Sequence, residues 1–359
     1  MQTQSNKLDF KGQNIYTGFD AHLKSWKVTV MTERLTHKTF SQLPEPKALY
    51  AYLAKNFPGA TYYSAYEAGF CGYWIHNELL SLGINSIVVN PGDIPTTNKE
   101  KVQKEDKRDS VKIARSLRGG ELKAIFVPCE KTLEDRSLLR TRHTLTRDIV
   151  RYKNRIKSFL YFHGIGFPEI FNNPQSHWSK RFMSWLISIE MKHESGKLSL
   201  AALIRESENL RQNLLLVTRQ VRALSETESY KENVKFLRSI PGIGLITAML
   251  LLTELETLDR FGNNDHLCGL IGLIPSTDSS GENEKMGDIT PRGHHILRSA
   301  IIESAWVAVR IDPALSKCFH HYCKRMETNQ AIVRVARKLL ARVRFVLKNR
   351  KPYELSVVH

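Results

Sequence analysis

The sequence lacks three features that would each define a class of protein. None of its 359 residues belong to a stretch that approaches the roughly 20 apolar residues of a membrane span. Residues 1–7 have no apolar core of the kind found in signal peptides. Its five cysteines are an odd number and lie far apart, which argues against a disulfide framework. We therefore expect a protein with reduced thiols, no membrane contact and a cytoplasmic location.

Acidic residues are scarce relative to basic ones. Only 36 Asp and Glu stand against 53 Lys and Arg, which gives a net charge of +17 and an isoelectric point near 9.6. Lys and Arg that neutralise phosphates release condensed counterions, so this imbalance favours a polyanionic partner. The competing interpretation is a merely soluble basic protein, because net charge shapes association rather than fold.

Against this basic background, four carboxylates in the first third of the chain form a pattern. Asp20 and Glu67 each close a strand-like apolar run, and Asp106 and Asp109 project from one face of a predicted helix. Carboxylates gathered from such elements would repel one another without a divalent cation, and oxygen ligands suit Mg²⁺ or Mn²⁺. The pattern predicts a metal-dependent phosphodiester enzyme. Solvated surface acids, paired with nearby lysines on the helix, are the alternative.

Hydrophobic periodicity divides the chain into three predicted regions. Residues 1–125 follow the order β-β-β-α-β-α-β-α, which is the order of an RNase H-like domain of the α/β class. Residues 126–228 carry long helical stripes, typical of a helical hairpin or coiled-coil insertion, or of ordinary core residues. Because the stripe has too few evident partners within one chain, we expect an oligomer. Residues 229–359 are predicted to form an all-α domain.

Two segments of the last region are typical of phosphate contacts. Residues 239–244 form a Pro-Gly-x-Gly turn like that of a helix-hairpin-helix, in which Gly242 and Gly244 let backbone N–H groups approach a phosphate. A tight corner between helices would need the same glycines. The predicted helix 329–348 has a basic face that is either solvated or laid on a nucleic-acid backbone. Its predicted nucleic-acid contacts are Arg334, Arg337 and Lys338.

A polar segment, residues 272–281, carries the second candidate chemistry. It is predicted to be a loop and contains Ser279 and Ser280 followed by a glycine. Most such loops are simple turns. Here Arg292 and Arg298 follow, and they would neutralise a phosphate under attack. A serine hydroxyl needs such help, because it is a poor nucleophile at its ordinary pKa.

Taken in order, these motifs resemble the DEDD-type transposases of insertion sequences, a family that includes the Piv site-specific DNA invertases. The resemblance spans nearly the whole chain. The motifs that carry it are residues 16–20, 66–68, 104–110, 113–114, 240–244, 261, 272–275, 279–281, 287–290 and 297–298. Ser110 and His294 stand where that family commonly has Ala and Asn.

The resemblance implies a RuvC-like (RNase H-like) catalytic domain, a coiled-coil region and a C-terminal transposase domain. The carboxylates that would hold Mg²⁺ (or Mn²⁺) are Asp20, Glu67, Asp106 and Asp109. Ser280 would be the nucleophile that becomes covalently joined to DNA, with Ser279 as the alternative. The implied partners are the element ends, the target DNA and further copies of the chain in a dimer or tetramer. Some members are also directed by a structured non-coding guide RNA.

Two rival functions stay open. In a junction-resolving nuclease, metal-activated water would perform the chemistry and Ser280 would be a turn residue. A non-catalytic DNA- or RNA-binding protein would keep the fold alone. A covalent protein–DNA adduct separates the transposase from both, and metal-dependent cleavage separates the nuclease from the binding protein. The favoured interpretation is a DNA transposase associated with the nucleoid.

Overall fold

The structure is a computed structural model that describes residues 9–95, 106–280 and 283–355. Within these ranges it does not describe the side chains of residues 106–108, 276–280 and 283–288. The chain divides into two compact units, one ending at Val127 and the other starting at Pro128. Among the described residues, no helix combines the length and apolar character needed to cross a bilayer.

The first unit is built on a mixed five-stranded sheet. Its strands are β1 (Asn14–Ala21), β2 (Trp26–Met31), β3 (Thr36–Gln42), β4 (Thr61–Glu67) and β5 (Asn85–Val89). Its helices are α1 (Pro46–Asn56), α2 (Trp74–Ser81) and α3 (Asp106–Arg118). The strand order is β3-β2-β1-β4-β5. Strand β1 is antiparallel to β2 and parallel to β4, and β5 continues the parallel half. The predicted α/β architecture is confirmed and is consistent with an RNase H-like domain.

Both faces of this sheet are covered, each by different helices. On one face Phe19 stacks on Trp26 and Tyr66, with ring centroids 4.8 and 5.1 Å apart. Leu49 of α1 and Leu79 of α2 close this layer. Each aromatic pair is worth about 0.5–1.5 kcal/mol beyond the area it buries. The opposite face is covered by α3, which contacts β1, β2 and β4.

The second unit is mainly helical. Its helices are α4 (Glu130–Phe162), α5 (Lys180–Ser188), α6 (Glu194–Ser225), α7 (Lys231–Arg238), α8 (Leu245–Leu255), α9 (Asn264–Ile271), α10 (His295–Ile311), α11 (Pro313–Cys323) and α12 (Thr328–Asn349). The strands β6 (Pro275–Ser280) and β7 (Asn283–Ile289) pair antiparallel.

The prediction that the polar segment 272–281 is a loop is therefore wrong for most of its length. Residues 275–280 are a β-strand. The error has a physical cause, because this strand has no alternation of apolar and polar residues to reveal it. The segment is a strand because its backbone pairs with β7, and that pairing cannot be read from the segment itself.

The long helices α4 and α6 pack together in opposite directions. Arg142 Nε donates a hydrogen bond to Thr218 Oγ1 over 3.0 Å near one end, while Leu160 and Leu200 share a buried cluster near the other. The expectation that the α6 stripe has too few partners within one chain is wrong, because its predicted apolar positions are buried or half-buried here. Those positions are Leu200, Leu203, Leu210, Leu214, Val217, Val221 and Leu224.

Candidate active site

Two carboxylates stand at the carboxyl ends of neighbouring parallel strands. The paired register of β1 and β4 runs to Phe19 opposite Tyr66, and Asp20 and Glu67 are the next residues of the two strands. Side chains alternate between faces, so both carboxylates lie on the face opposite the aromatic layer. Parallel pairing thus brings together two acids that are far apart in sequence. The face that they share is the one covered by α3.

Helix α3 lies directly on β1 because Gly18 has no side chain. A Cβ at Gly18 would overlap the backbone nitrogen of Ala114 and lie 2.6 Å from the carbonyl oxygen of Ser110. The Ser110 hydroxyl lies 2.9 Å from the hydroxyl of buried Thr29, the residue paired with Gly18. Ser110, unusual at this position for the family that the sequence resembles, therefore fastens α3 to the sheet face that carries the strand carboxylates.

The first turn of α3 supplies the other two predicted acids. The helix begins at Asp106, and Asp109 lies three residues further on the same helical face. Asp109 Oδ1 is 3.1 Å from Nζ of Lys112, whose side chain is only 12% exposed. An i,i+3 ion pair of this kind is what the alternative interpretation expects, in which the acids are surface residues paired with nearby lysines. The side chain of Asp106 lies outside the described residues.

A metal site is not assembled in the part of the chain that the structure describes. No three Asp, Glu, His or Cys side chains there stand close enough together to hold an ion. The structure thus brings Asp20 and Glu67 to equivalent strand positions and places α3 on their face. It does not draw Asp109 into a cluster with them. In chemistry the donor set fits Mg²⁺ or Mn²⁺, because every member is a hard carboxylate oxygen.

Two neighbours of Asp20 were missed by the sequence reasoning. His22 Nε2 lies 3.0 Å from Oδ2 of Asp20, and its i+2 spacing along the chain was an available signal, since alternate strand residues share a face. Burial raises the pKa of the Cys71 thiol, and the negative charge of Asp20 adds to the rise. Cys71 is therefore a neutral neighbour of the carboxylates rather than a reactive thiolate.

In the second unit, the strand that carries the candidate nucleophile ends at it. Ser280 is the last residue of β6 and pairs with Asn283, and Ser279 pairs with Glu284. The side chains of both serines lie outside the described residues. Side chains are described at the base of this hairpin, where Pro275 pairs with Ile289.

Arg298 holds the base of the hairpin. Its Nε donates to the carbonyl oxygen of Ile271 over 3.3 Å, and a terminal nitrogen donates to the carbonyl oxygen of Arg292 over 2.8 Å. A side chain at Gly272 would overlap this guanidinium, and the φ of +81° there also favours glycine. Arg298 thus joins the segments before and after the hairpin, whereas the Arg292 side chain is exposed.

The sequence reasoning missed a buried ion network that includes His294, a residue that follows the hairpin in the chain. Glu254 of α8, with a side chain only 2% exposed, accepts two hydrogen bonds from Arg140 over 2.8 and 2.9 Å. Arg136 Nε lies 3.2 Å and His294 Nε2 lies 3.0 Å from Glu254 Oε2. His294 Nδ1 accepts from the backbone N–H of Leu297, so its proton is on Nε2 and points at the carboxylate.

This network connects three elements. Glu254 belongs to α8, the arginines to α4, and His294 caps the N-terminus of α10 immediately after the hairpin. Burial alone would raise the pKa of Glu254, but hydrogen bonds from His294 and Arg140 and the positive charge of Arg140 outweigh it and lower the pKa to about 2. Glu254 is therefore ionised and structural at neutral pH.

We expect Glu254→Gln to lower the free energy of unfolding by about 3 kcal/mol at pH 7, because it leaves buried Arg136 without its counter-charge. The folded pKa of about 2 lies below the usual 4.5. The stabilisation is therefore complete above pH 4.5 and is lost as the pH falls towards 2. Urea unfolding at pH 7, 4 and 3 should show the gap between variant and parent narrowing with acidity.

Exposed Glu303 of α10 provides the matched control for this experiment. Glu303→Gln makes the same chemical change without a buried partner and should leave the free energy of unfolding within about 0.5 kcal/mol of the parent. If the difference in free energy of unfolding between Glu254→Gln and the parent stays constant from pH 7 to 3, Glu254 does not stabilise the fold through its ionised form.

The Pro-Gly-x-Gly turn joins α7 to α8, and its two glycines have different surroundings. Gly242 has a φ of +85°, and a Cβ there would overlap the carbonyl oxygen of Ser304 and lie 3.1 Å from the nitrogen of Ala308. Contact with α10 therefore explains this glycine. Gly244 is exposed, with no atom within 4 Å of its hypothetical Cβ.

The basic side chains of α12 differ in their exposure. Arg334 and Lys338 are exposed, while Arg337 is half-buried and lies 2.6 Å from Asp265 of α9. The buried face of the same helix, from Ile332 to Val346, belongs to the main core of the second unit. The amphipathic helix predicted here is confirmed, with Arg334 and Lys338 on its exposed side.

Comparison with known proteins now defines the class. The profile of the DEDD transposase of IS110 elements matches residues 17–164. The profile described as "Transposase IS116/IS110/IS902 family" matches residues 234–320. Both matched profiles are those of transposases. The chain belongs to the IS110 family of insertion-sequence transposases.

Individual relatives agree with this assignment. A candidate transposase of Sinorhizobium fredii, y4qE, is 30% identical over 71% of this chain and 60% of its own length. The transposase for insertion sequence element IS1533 of Leptospira borgpetersenii is 29% identical over 70% of this chain and 72% of its own. The pilin gene-inverting protein of Moraxella bovis is 30% identical over 36% of this chain and 42% of its own length. The predicted resemblance to insertion-sequence transposases is confirmed.

Proposed function

We propose that this protein cuts and rejoins DNA during the transposition of an insertion sequence. The observation that carries the proposal is the placement of Asp20 and Glu67. They follow the last paired residues of adjacent parallel strands, on the sheet face that α3 covers with Asp106 and Asp109 in its first turn. Carboxylates in this arrangement suit phosphodiester chemistry.

The carboxylates that would hold the metal are Asp20, Glu67, Asp106 and Asp109. When bound, Mg²⁺ supplies positive charge that neutralises a scissile phosphate and its leaving oxygen. The chain's own contribution is position. Gly18 admits α3 to the sheet, and the hydroxyls of Ser110 and Thr29 hold it there.

Ser280 is our proposed nucleophile in the second unit. Its Oγ would attack a backbone phosphorus, forming an Oγ–P bond as the bond from phosphorus to one bridging oxygen of the strand breaks. The serine proton leaves to a base, and the departing strand oxygen takes up a proton. Arg298, which ties the two sides of the hairpin base together, supports this role by fixing the base from which β6 extends.

Mapping a trapped protein–DNA complex tests this function. With Mg²⁺ and a DNA substrate that cannot complete strand exchange, a phosphoserine link should accumulate on the peptide containing Ser280. Ser280→Ala should abolish the link, and Ser279→Ala should only weaken it. A label on Ser279 would move the assignment by one residue. Metal-dependent cleavage with no label on any residue would favour a junction-resolving nuclease that uses water.

We assign further nucleic-acid contacts to the second unit. Exposed Gly244 at the N-terminus of α8 supports a helix-hairpin-helix contact with a phosphate, in which Gly242 acts by shaping the turn. Arg292, Arg334, Arg337 and Lys338 are proposed to contact the same polyanion. The net charge of +17 supports DNA as that partner and the nucleoid as the place of action.

Assembly is a further part of the proposal. The pair of α4 and α6 would act as a coiled-coil arm, with exposed Leu215 and Leu216 of α6 meeting another copy in a dimer or tetramer. Sedimentation as a monomer at micromolar concentration, with and without DNA, would refute this. A structured guide RNA would be a partner of the same assembly, and its absence from protein purified with the element's own transcript would refute that role.

A further inference from the structure

A groove in the second unit runs beside the base of the hairpin. It has a volume of about 1000 Å³ and is bounded on one side by Pro275 and Ile289, the pair that opens β6 and β7. The other side is formed by Arg325, from the turn after α11, and by Arg334 and Lys338 of α12. We call this cavity the hairpin groove. A ligand lying in it would touch the two strands that lead to Ser280.

The charge of the hairpin groove is of one sign. Arg325, Arg334, Arg337 and Lys338 line it, and none of its described lining residues is acidic. Asp265 lies 2.6 Å from Arg337 and partly offsets that charge. The remaining cations are exposed at the wall, and Arg334 and Lys338 lie about one helical turn apart on α12. Cations repeated at this spacing suit a chain of phosphates better than a single anion.

The groove also offers surfaces for something other than phosphate. Tyr322 presents a half-buried ring, above which the Arg334 guanidinium lies 5.9 Å from the ring centroid. Asn264 lines the wall, and within the described part of the chain its side-chain oxygen is buried with no hydrogen-bond partner. A buried acceptor without a donor is costly, and rotation of the Asn264 side chain would let it accept from a ligand N–H or O–H in the groove. A flat ring and an amide beside a row of cations match the parts of a nucleotide.

We infer that the hairpin groove binds a short unpaired segment of nucleic acid. Its phosphates would contact Arg325, Arg334 and Lys338, and one base would lie against Tyr322 with a donor directed at Asn264. A duplex suits the groove less well, because its bases are stacked and paired and present no free face to a recessed ring. The inference rests on the proposed function, since it specifies the strand that would lead to Ser280.

Binding by the full-length protein tests the inference. Fluorescent 12-nucleotide single strands of DNA and RNA, and the matching DNA duplex, would be titrated at several salt concentrations. For Arg334→Ala/Lys338→Ala we expect single-strand affinity to fall about tenfold or more, with the slope of log K against log salt reduced by about 1.4. The control Lys235→Ala/Lys348→Ala removes the same charge from exposed sites that do not line the groove and should leave the slope unchanged.

The relative affinities for single-stranded DNA and RNA show which nucleic acid supplies the segment that binds the groove. Preference for DNA identifies a strand of the element or target, and preference for RNA identifies a transcript. Equal losses in both double variants, or a loss confined to duplex binding, would overturn the inference.

A second readout locates the base. A single strand carrying 5-iodouracil should crosslink under ultraviolet light to the peptide containing Tyr322, and Asn264→Ala should reduce the yield while leaving the salt slope unchanged. Crosslinks only outside residues 264–341 would overturn the inference. The proposed function is judged separately by the phosphoserine link. Groove binding without that link refutes the transposase chemistry alone, and the link without groove binding refutes the groove alone.

Discussion

An Asp20→Asn variant is expected to bind DNA with unchanged affinity and to cleave it about a thousandfold more slowly. The substitution keeps the size of the side chain and removes one negative donor from the end of β1. If the carboxylates hold Mg²⁺, losing about 4 kcal/mol of stabilisation of the transition state corresponds to that factor. Affinity should persist because it comes from basic residues elsewhere in the chain. Cleavage of a labelled element end and a binding titration would be measured on the same preparation.

Asp93 supplies the matched control for this prediction. It is exposed and lies in the same unit, beyond the end of β5. Asp93→Asn changes the net charge equally and should leave both cleavage and binding within twofold of the parent. Glu67→Gln should reproduce the defect of Asp20→Asn. Full cleavage by either site variant with Mg²⁺ present would remove the strand carboxylates from the chemistry.

A Gly18→Ala variant is expected to destabilise the first unit by about 3 kcal/mol or more and to lose cleavage activity. The new Cβ would overlap the backbone nitrogen of Ala114. Backbone in a helix cannot turn aside as a flexible side chain can, so α3 must move away from the sheet. The helix that carries Asp109 would then shift relative to the strand carboxylates. Urea unfolding and the cleavage assay together measure the effect.

Gly69, which follows β4 by two residues, is the control in this case. A Cβ there would meet only the carbonyl oxygen of Glu67 at 4.0 Å, which is ordinary contact. Gly69→Ala should therefore change stability by less than about 1 kcal/mol. If Gly18→Ala unfolds at the same urea concentration as the parent and cleaves DNA normally, α3 does not need its close approach to β1.

Much of the first unit follows from local pattern. The strand-like run predicted to close at Asp20 and the observed β1 (Asn14–Ala21) differ by a single residue at that end. Strand periodicity and the flanking turns are properties of a few consecutive residues, so they can be read from the chain. Parallel neighbours also follow from the order of elements, and with them the meeting of Asp20 and Glu67.

The candidate site of the second unit was much harder to predict. Nothing in the run around Glu254, an otherwise apolar and buried helix, signals that two arginines more than 100 residues earlier neutralise it. His294 was noticed only as a departure from the family's usual residue, whereas in the structure it caps α10 and binds Glu254. The strand β6 was hidden for the same reason, since its pairing depends on residues beyond it.

The charge, the order of the elements and the position of acids at the ends of strands can be read from the chain, because they depend on composition and on neighbouring residues. Which elements contact one another depends on the folded arrangement. Contact with α3 explains why residue 18 is glycine, and the joining of α11, α12 and the hairpin creates a basic groove from residues separated by dozens of positions. Such contacts are selected by the fit of whole elements against one another, and that fit has no local signature.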